Sequence, residues 1–195
     1  AESGNYATGL QASTFPGVLA NAKAGDYMIM ECGYNDANYS SEAKMATALE
    51  EIADDCKKAG ITLILSTPNF GAARGDTNKA DVKFGPKILE VAKEKGVLGV
   101  NLSGLGYADY TASGSNKEYW SKNFNVYFGG AQQDDLHLSY FGAMKNASLV
   151  AQAIYDAQKD TENTELAETL KGLKINTQAY QMKDSEGQTV TLQVK

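Results

Sequence analysis

The chain has 195 residues, 43% hydrophobic and 22% charged, enough for one domain with a real core. Its formal net charge of −6 argues against a nucleic-acid binder, which needs a basic face to displace counterions from phosphates, and against an anionic membrane surface as partner. No apolar run approaches the roughly 18 residues of a membrane span, and no signal peptide is visible. With 2 cysteines and 1 histidine, metal-ligand spacing is lacking and no metal is expected. Cys32 ends an expected strand and Cys56 lies on an expected helix face, so two buried thiols are expected rather than a disulfide.

In chain order, residues 26–32 form a short apolar run between Gly25 and Gly33 and read as a central strand. Ser40 or Ser41 caps the helix that follows. Met45, Ala48, Leu49, Ile52 and Cys56 recur on one face of it, and Gly60 stops it. Ile61 to Ser66 is the next strand, and 69–84 a long polar loop. Pro86 opens a second helix, with Ile88, Val91 and Ala92 inward and Gly96 at its end. Val97 to Leu102 is a third strand. Residues 103–133, rich in Gly, Tyr, Asn and Ser, read as an irregular segment with one helix near 116–122. A helix over 140–158 follows, with Ala143, Ala147, Val150 and Ile154 on one face. Residues 159–172 read as a polar linker or helix. Ile175 to Lys195 alternates about Asp184-Ser185-Glu186-Gly187 as a β-hairpin, either an extension of the α/β unit or the start of another module.

Alternating strands and helices imply a parallel sheet with helices on both faces, whose functional groups gather beyond the carboxyl ends of the strands. Asn35 follows the first strand, the Thr67–Arg74 loop follows the second, and Asp134 and His137 lie in a loop before the last long helix. All three are expected at one edge of the sheet.

His137, in Asp134-Asp135-Leu136-His137-Leu138-Ser139, is the only histidine. An imidazole suits proton transfer at neutral pH, and a carboxylate at Asp134 can fix its tautomer. Asp-x-x-His alone is equally the pattern of a surface histidine ahead of a helix. Asn35, in Gly33-Tyr34-Asn35-Asp36, can aim an amide NH₂ at a developing oxyanion, or can simply be a turn residue. The backbone N–H of Gly4 can join it, or Gly4 can be a flexible glycine and no more.

Together these segments resemble the SGNH (GDSL) hydrolases. Gly25 to Asp36 is similar to the family's third conserved block, and Asp134 to Ser139 followed by Gly142-Ala143 to its fifth. Ala1-Glu2-Ser3-Gly4 with Thr14-Phe15-Pro16-Gly17 is similar to the second block and its following helix. Thr67-Pro68 with Arg74 resembles the rhamnogalacturonan acetylesterase branch. The likeness runs over residues 1–158.

The resemblance implies a flavodoxin-like three-layer α/β/α fold. It implies ester hydrolysis by a Ser-His-Asp triad with His137 as base, Asp134 as its orienter, and Gly4 and Asn35 as oxyanion donors. Tyr34, where that branch often has histidine, and Arg74 are the implied substrate contacts. The implied substrate is an acetylated plant cell-wall polysaccharide, pectin or xylan in type. No cofactor is implied, and the implied setting is outside the cell.

The departure from the family is the first block: the chain contains no Gly-Asp-Ser. The expectation is an N-terminally truncated fragment whose absent part carries the first strand and the nucleophilic serine. Ser3 lies on the wrong strand for the role, and Ser185, in Lys183-Asp184-Ser185, sits in a hairpin turn without a following helix. Loss of a central strand would leave neighbours unpaired, so the isolated chain is expected to be unstable and inactive. The competing readings are a lipase or general esterase of the same superfamily, disfavoured by polar loops, and a non-catalytic glycan-binding relative. A nucleotide or flavin protein is disfavoured by the lack of a glycine-rich phosphate loop. Tyr107, Tyr110, Tyr119, Trp120 and Tyr127 either line a sugar cleft or pack an irregular segment.

Overall fold

Three short, largely apolar runs form a parallel sheet. Its strands are β1 (Tyr27–Glu31), β2 (Thr62–Ser66) and β3 (Leu98–Val100), in the order β1-β2-β3, with Ile29 opposite Ile64 and Ile64 opposite Leu98. The computed structural model describes residues 6–71, 84–128 and 132–195; over 125–128 and 132–136 the description is of the backbone alone. Residues 1–5 and the segment 72–83, with Gly4 and Arg74, lie outside it.

One face of the sheet is covered by α4 (Glu42–Ala59) and α5 (Gly85–Lys95), on which α1 (Ala7–Ala12) and α2 (Phe15–Asn21) build. Ser41, not Ser40, caps α4 by accepting from the Lys44 amide at 3.2 Å. Met45, Leu49, Ile52 and Cys56 pack there with Met30, Leu63, Leu65, Ile88 and Val91. The other face is covered by α8 (Tyr140–Gln158) and α9 (Thr164–Leu170), with Ile154 and Leu170 on Ile64, Leu98 and Val100. Burying one such side chain fully contributes about 1.5–3 kcal/mol. The result is the three-layer α/β/α arrangement expected from the alternation of elements.

Four expectations are corrected. The first strand is not central among the described residues: β1 is an edge, and Ile29, on the α8/α9 face, is 51% exposed where Ile64 beside it is fully covered. The third strand stops at Val100, because the Asn101 side chain accepts from the Gly104 amide and opens α6 (Leu102–Ala112). Residues 103–128 carry the expected helix as α7 (Lys117–Phe124), but the rest is not irregular: α6 precedes it and β4 (Asn125–Phe128) follows. Finally, Asp134 and His137 lie on a strand, β5 (Gln132–Leu138), antiparallel to β4, and not in a loop.

The C-terminal hairpin is present as β6 (Tyr180–Lys183) and β7 (Thr189–Leu192). Met182 and Leu192 are buried with Trp120, Phe124 and Phe141. Asp184, also buried, holds the turn by accepting from the Glu186 and Gln188 amides and from the Tyr119 hydroxyl at 2.7 Å. The Lys195 backbone exchanges two hydrogen bonds with the Gln152 side chain of α8.

Candidate active site

Asn35 stands at the head of the short helix α3 (Asp36–Tyr39), half-buried, and its side chain does not cap that helix. The turn that holds it is built by Asp36. This carboxylate is 1% exposed and accepts from the Gly33 amide at 3.0 Å and from the Ala7 amide at 2.9 Å. Burial pushes the Asp36 carboxyl above its ordinary range, and the Ala7 and Gly33 amides offset only part of that. One side chain thus ties the start of α1 to the turn carrying Asn35. Gly33 itself needs to be glycine. Its φ is +110°, and an added Cβ would lie 2.9 Å from Ile88 Cδ1 and 3.2 Å from Pro68 Cγ.

Pro68 belongs to the segment beyond β2, which is fastened to the end of β1 by the Asn69 amide donating to Glu31 Oε1 at 3.2 Å. Thr67, fully buried, anchors α6: its Oγ1 accepts from the Ser103 amide and lies 3.1 Å from the Ser103 hydroxyl. Phe70 then begins a chain of rings through Trp120, Phe124 and Phe141, with centroids 6.0, 3.7 and 5.3 Å apart. Phe141 is in the first turn of α8. Ile154, three turns on, reaches Ile64 and Leu98 in the middle of the sheet, so α8 starts at the carboxyl edge and runs back across the strands.

His137 is therefore presented at the same edge as Asn35. Its strand is irregular where it matters. Tyr127 pairs with Gln133 and Asn125 with Leu138, so between these pairs one residue of β4 stands against four of β5, residues 134–137. A bulge of this kind re-aims side chains that a regular ladder would point alternately to two faces. His137 is exposed. Ser139, just beyond, caps α8 by accepting from the Gly142 amide at 3.0 Å and donates from its hydroxyl to the Asn123 carbonyl, while its amide donates to the Phe124 carbonyl. The histidine is thus followed immediately by a fixed point shared by α7 and α8.

Of the other residues singled out, Tyr34 is half-buried and packs on the core under α4 and α5. Trp120 is 3% exposed and stacks on Phe124; Tyr110 packs against the same cluster, and Tyr119 is engaged by Asp184. Packing, not a sugar cleft, accounts for these three. Tyr107 meets Phe70 edge-on and is 40% exposed; the Tyr127 side chain lies outside the described residues. The sequence reading passed over Asp36 as a second turn residue. Nothing local marks it, because one of the two amides it receives, that of Ala7, lies 29 residues away. Cys32 and Cys56 are free and buried. Burial, then the Asp36 and Glu31 charges, raise the Cys32 thiol well above its usual value, and burial with Asp55 pushes Cys56 up to about 11.

Among the described residues, no group of three or more His, Cys, Asp or Glu side chains is arranged to hold a metal ion, and no helix is long and apolar enough to cross a membrane.

No protein-family model matches the chain. It is 28% identical over 144 residues to the uncharacterized esterase YxiM of Bacillus subtilis, a match covering 70% of this chain and 36% of that protein. The chain thus spans about a third of the length of the curated relative it matches. The crystal structure of YxiM superposes with a TM-score of 0.62 at 24% identity, covering 78% of this chain and 43% of that one. A catalytic mutant of Axe2, an acetylxylan esterase from Geobacillus stearothermophilus, gives a TM-score of 0.56 at 19% identity over 79% of this chain and 68% of that one. The chain therefore shares its α/β/α fold with these two solved proteins and is similar in sequence to a protein described as an esterase.

Proposed function

We propose that the protein is a serine ester hydrolase that removes O-acetyl groups from a cell-wall polysaccharide of pectin or xylan type. His137 takes the proton of the attacking serine and Asp134 orients the imidazole. Asn35 Nδ2 and the Gly4 N–H stabilise the tetrahedral oxyanion, and Tyr34 and Arg74 contact the substrate. Water then resolves the acetyl-enzyme, without a cofactor, outside the cell. The observation that supports this reading is the likeness to an esterase in sequence and to two esterases in fold, alongside an Asn35 turn held by Asp36 and a histidine just before α8. The nucleophilic serine is left unassigned, since no Gly-Asp-Ser occurs among these residues. The second reading, a glycan-binding relative without a nucleophile, is favoured only by the lack of Gly-Asp-Ser in the chain.

The test is acetate release from 4-nitrophenyl acetate and from acetylated xylan and pectin by the full-length protein and its His137→Ala variant. A general base contributes about a hundredfold or more, so a fall of that size is expected. Release that is unaffected by the substitution removes His137 from the mechanism. No release by a folded full-length protein favours the glycan-binding relative.

A further inference from the structure

Most of the large rings in this half of the molecule are buried. Two beside His137 are not. Tyr140 opens α8, three residues after His137, and is 67% exposed; Tyr180 opens β6 and is 44% exposed. They are 40 residues apart in sequence, yet their hydroxyls lie 3.0 Å apart in a hydrogen bond. Both supports are fixed. Ser139 holds the first turn of α8 to α7, and the hairpin that carries Tyr180 is seated by Met182, Leu192 and Asp184. Tyr180 and Met182 share a face of β6, so Tyr180 continues the buried face of the hairpin out to the surface.

We propose that Tyr140 and Tyr180 form a sugar-binding subsite next to His137, in which the hairpin supplies half of a platform for a neutral pyranose of the substrate chain. Its place beside a reacting centre rests on the esterase reading; the binding itself does not. A pyranose has an apolar C–H face and a rim of hydroxyls, and two phenols offer the matching ring surface and polar edge. Linked hydroxyls restrict both rings before the ligand arrives, which lowers the ordering cost of binding. The net charge of −6 disfavours nucleic acid on the same rings.

The test is titration of xylohexaose, which carries no ester, into the full-length protein and its Tyr140→Ala and Tyr180→Ala variants. Affinity is expected to fall about tenfold in each, the loss of one ring contact, with Tyr140→Phe and Tyr180→Phe retaining most of it. On acetylated xylo-oligosaccharide, the alanine variants should lose about tenfold more kcat/KM than on 4-nitrophenyl acetate, which lacks the sugar. Unchanged affinity in both folded alanine variants overturns the proposal, as does failure of the wild type to bind xylohexaose. A dimer that dissociates in Tyr140→Ala also overturns it, assigning the rings to self-association. If an alanine variant loses its fold, ¹³C-tyrosine resonances of the wild type decide: shifts at Tyr140 and Tyr180 on adding xylohexaose support the subsite, and silence there overturns it. Binding that depends on both rings with no ester cleaved leaves the subsite standing and the esterase reading fallen. Cleavage of 4-nitrophenyl acetate with ring-independent binding does the reverse.

Discussion

Replacing Asp36 with alanine would strand the amides of Ala7 and Gly33, both buried, without their acceptor. A buried unsatisfied N–H costs about 1–3 kcal/mol, so the pair costs about 2–6 kcal/mol. Removing a carboxylate that burial disfavours returns part of this, leaving a net loss of about 3 kcal/mol. For a chain of this size, that lowers Tm by about 6–12 °C. The pH dependence supplies a second, independent check. Because the folded carboxyl titrates above its unfolded value, the stability it contributes is fully present below the ordinary carboxylate pKa of about 3.9 and is lost as pH rises through the folded value. Asp36→Asn lacks that slope, so its penalty relative to wild type should be largest near pH 4 and shrink toward neutrality. Urea unfolding of the full-length protein and both variants at pH 4 to 7 measures it. An alanine variant within about 0.5 kcal/mol of wild type, the scatter of ordinary surface substitutions, or an asparagine penalty that grows with pH, refutes this account of the turn.

Gly142→Ala would drive a methyl group into the Phe124 carbonyl and to 3.0 Å from its Cα, all backbone, so α8 has to move away from α7; a loss of about 2 kcal/mol or more is expected in denaturant unfolding. Burial raises the Asp184 carboxyl, but the Tyr119 hydroxyl and the Gln188 and Glu186 amides outweigh it and hold it below its usual range. The stability it contributes is present above the ordinary carboxylate pKa and is lost as pH falls through the lower folded value, so protection of the β6 and β7 amides from hydrogen exchange should decline there; an Asp184→Asn variant whose hairpin protection equals wild type at neutral pH contradicts this. Cys32 and Cys56 should resist 5,5′-dithiobis(2-nitrobenzoate) at pH 8 in the folded protein and react only on unfolding; fast labelling of either would mean the core opens readily.

Where local pattern and tertiary demand agree, the sequence was sufficient. The Met45, Leu49, Ile52 and Cys56 stripe, Pro86 at the start of α5, and the alternation around Asp184 each appear where periodicity and turn chemistry put them. The misses share a cause. Residues 102–112 are poor helix formers by composition, and the helix there is held by the Asn101 cap, by Thr67 on Ser103, and by Gly106 pressed against Phe70. The last two partners lie 36 residues away, beyond any local window. Likewise Asp134 and His137 read as loop because a bulge breaks the alternation by which a strand is recognised. In the site, residue type led to His137 and Asn35, while Asp36, whose role is to receive two distant amides, became visible only once those amides were placed.

The stacking of Trp120 on Phe124 has a practical use. It is the only tryptophan in the chain, and it sits where α6, α7, α8 and the hairpin meet, not among α4 and α5. Intrinsic emission excited at 295 nm therefore reports on one half of the protein alone, while circular dichroism reports on both. A red shift that precedes the loss of helical signal would time the undocking of the hairpin and of the end of α8 beside His137, without any label being introduced.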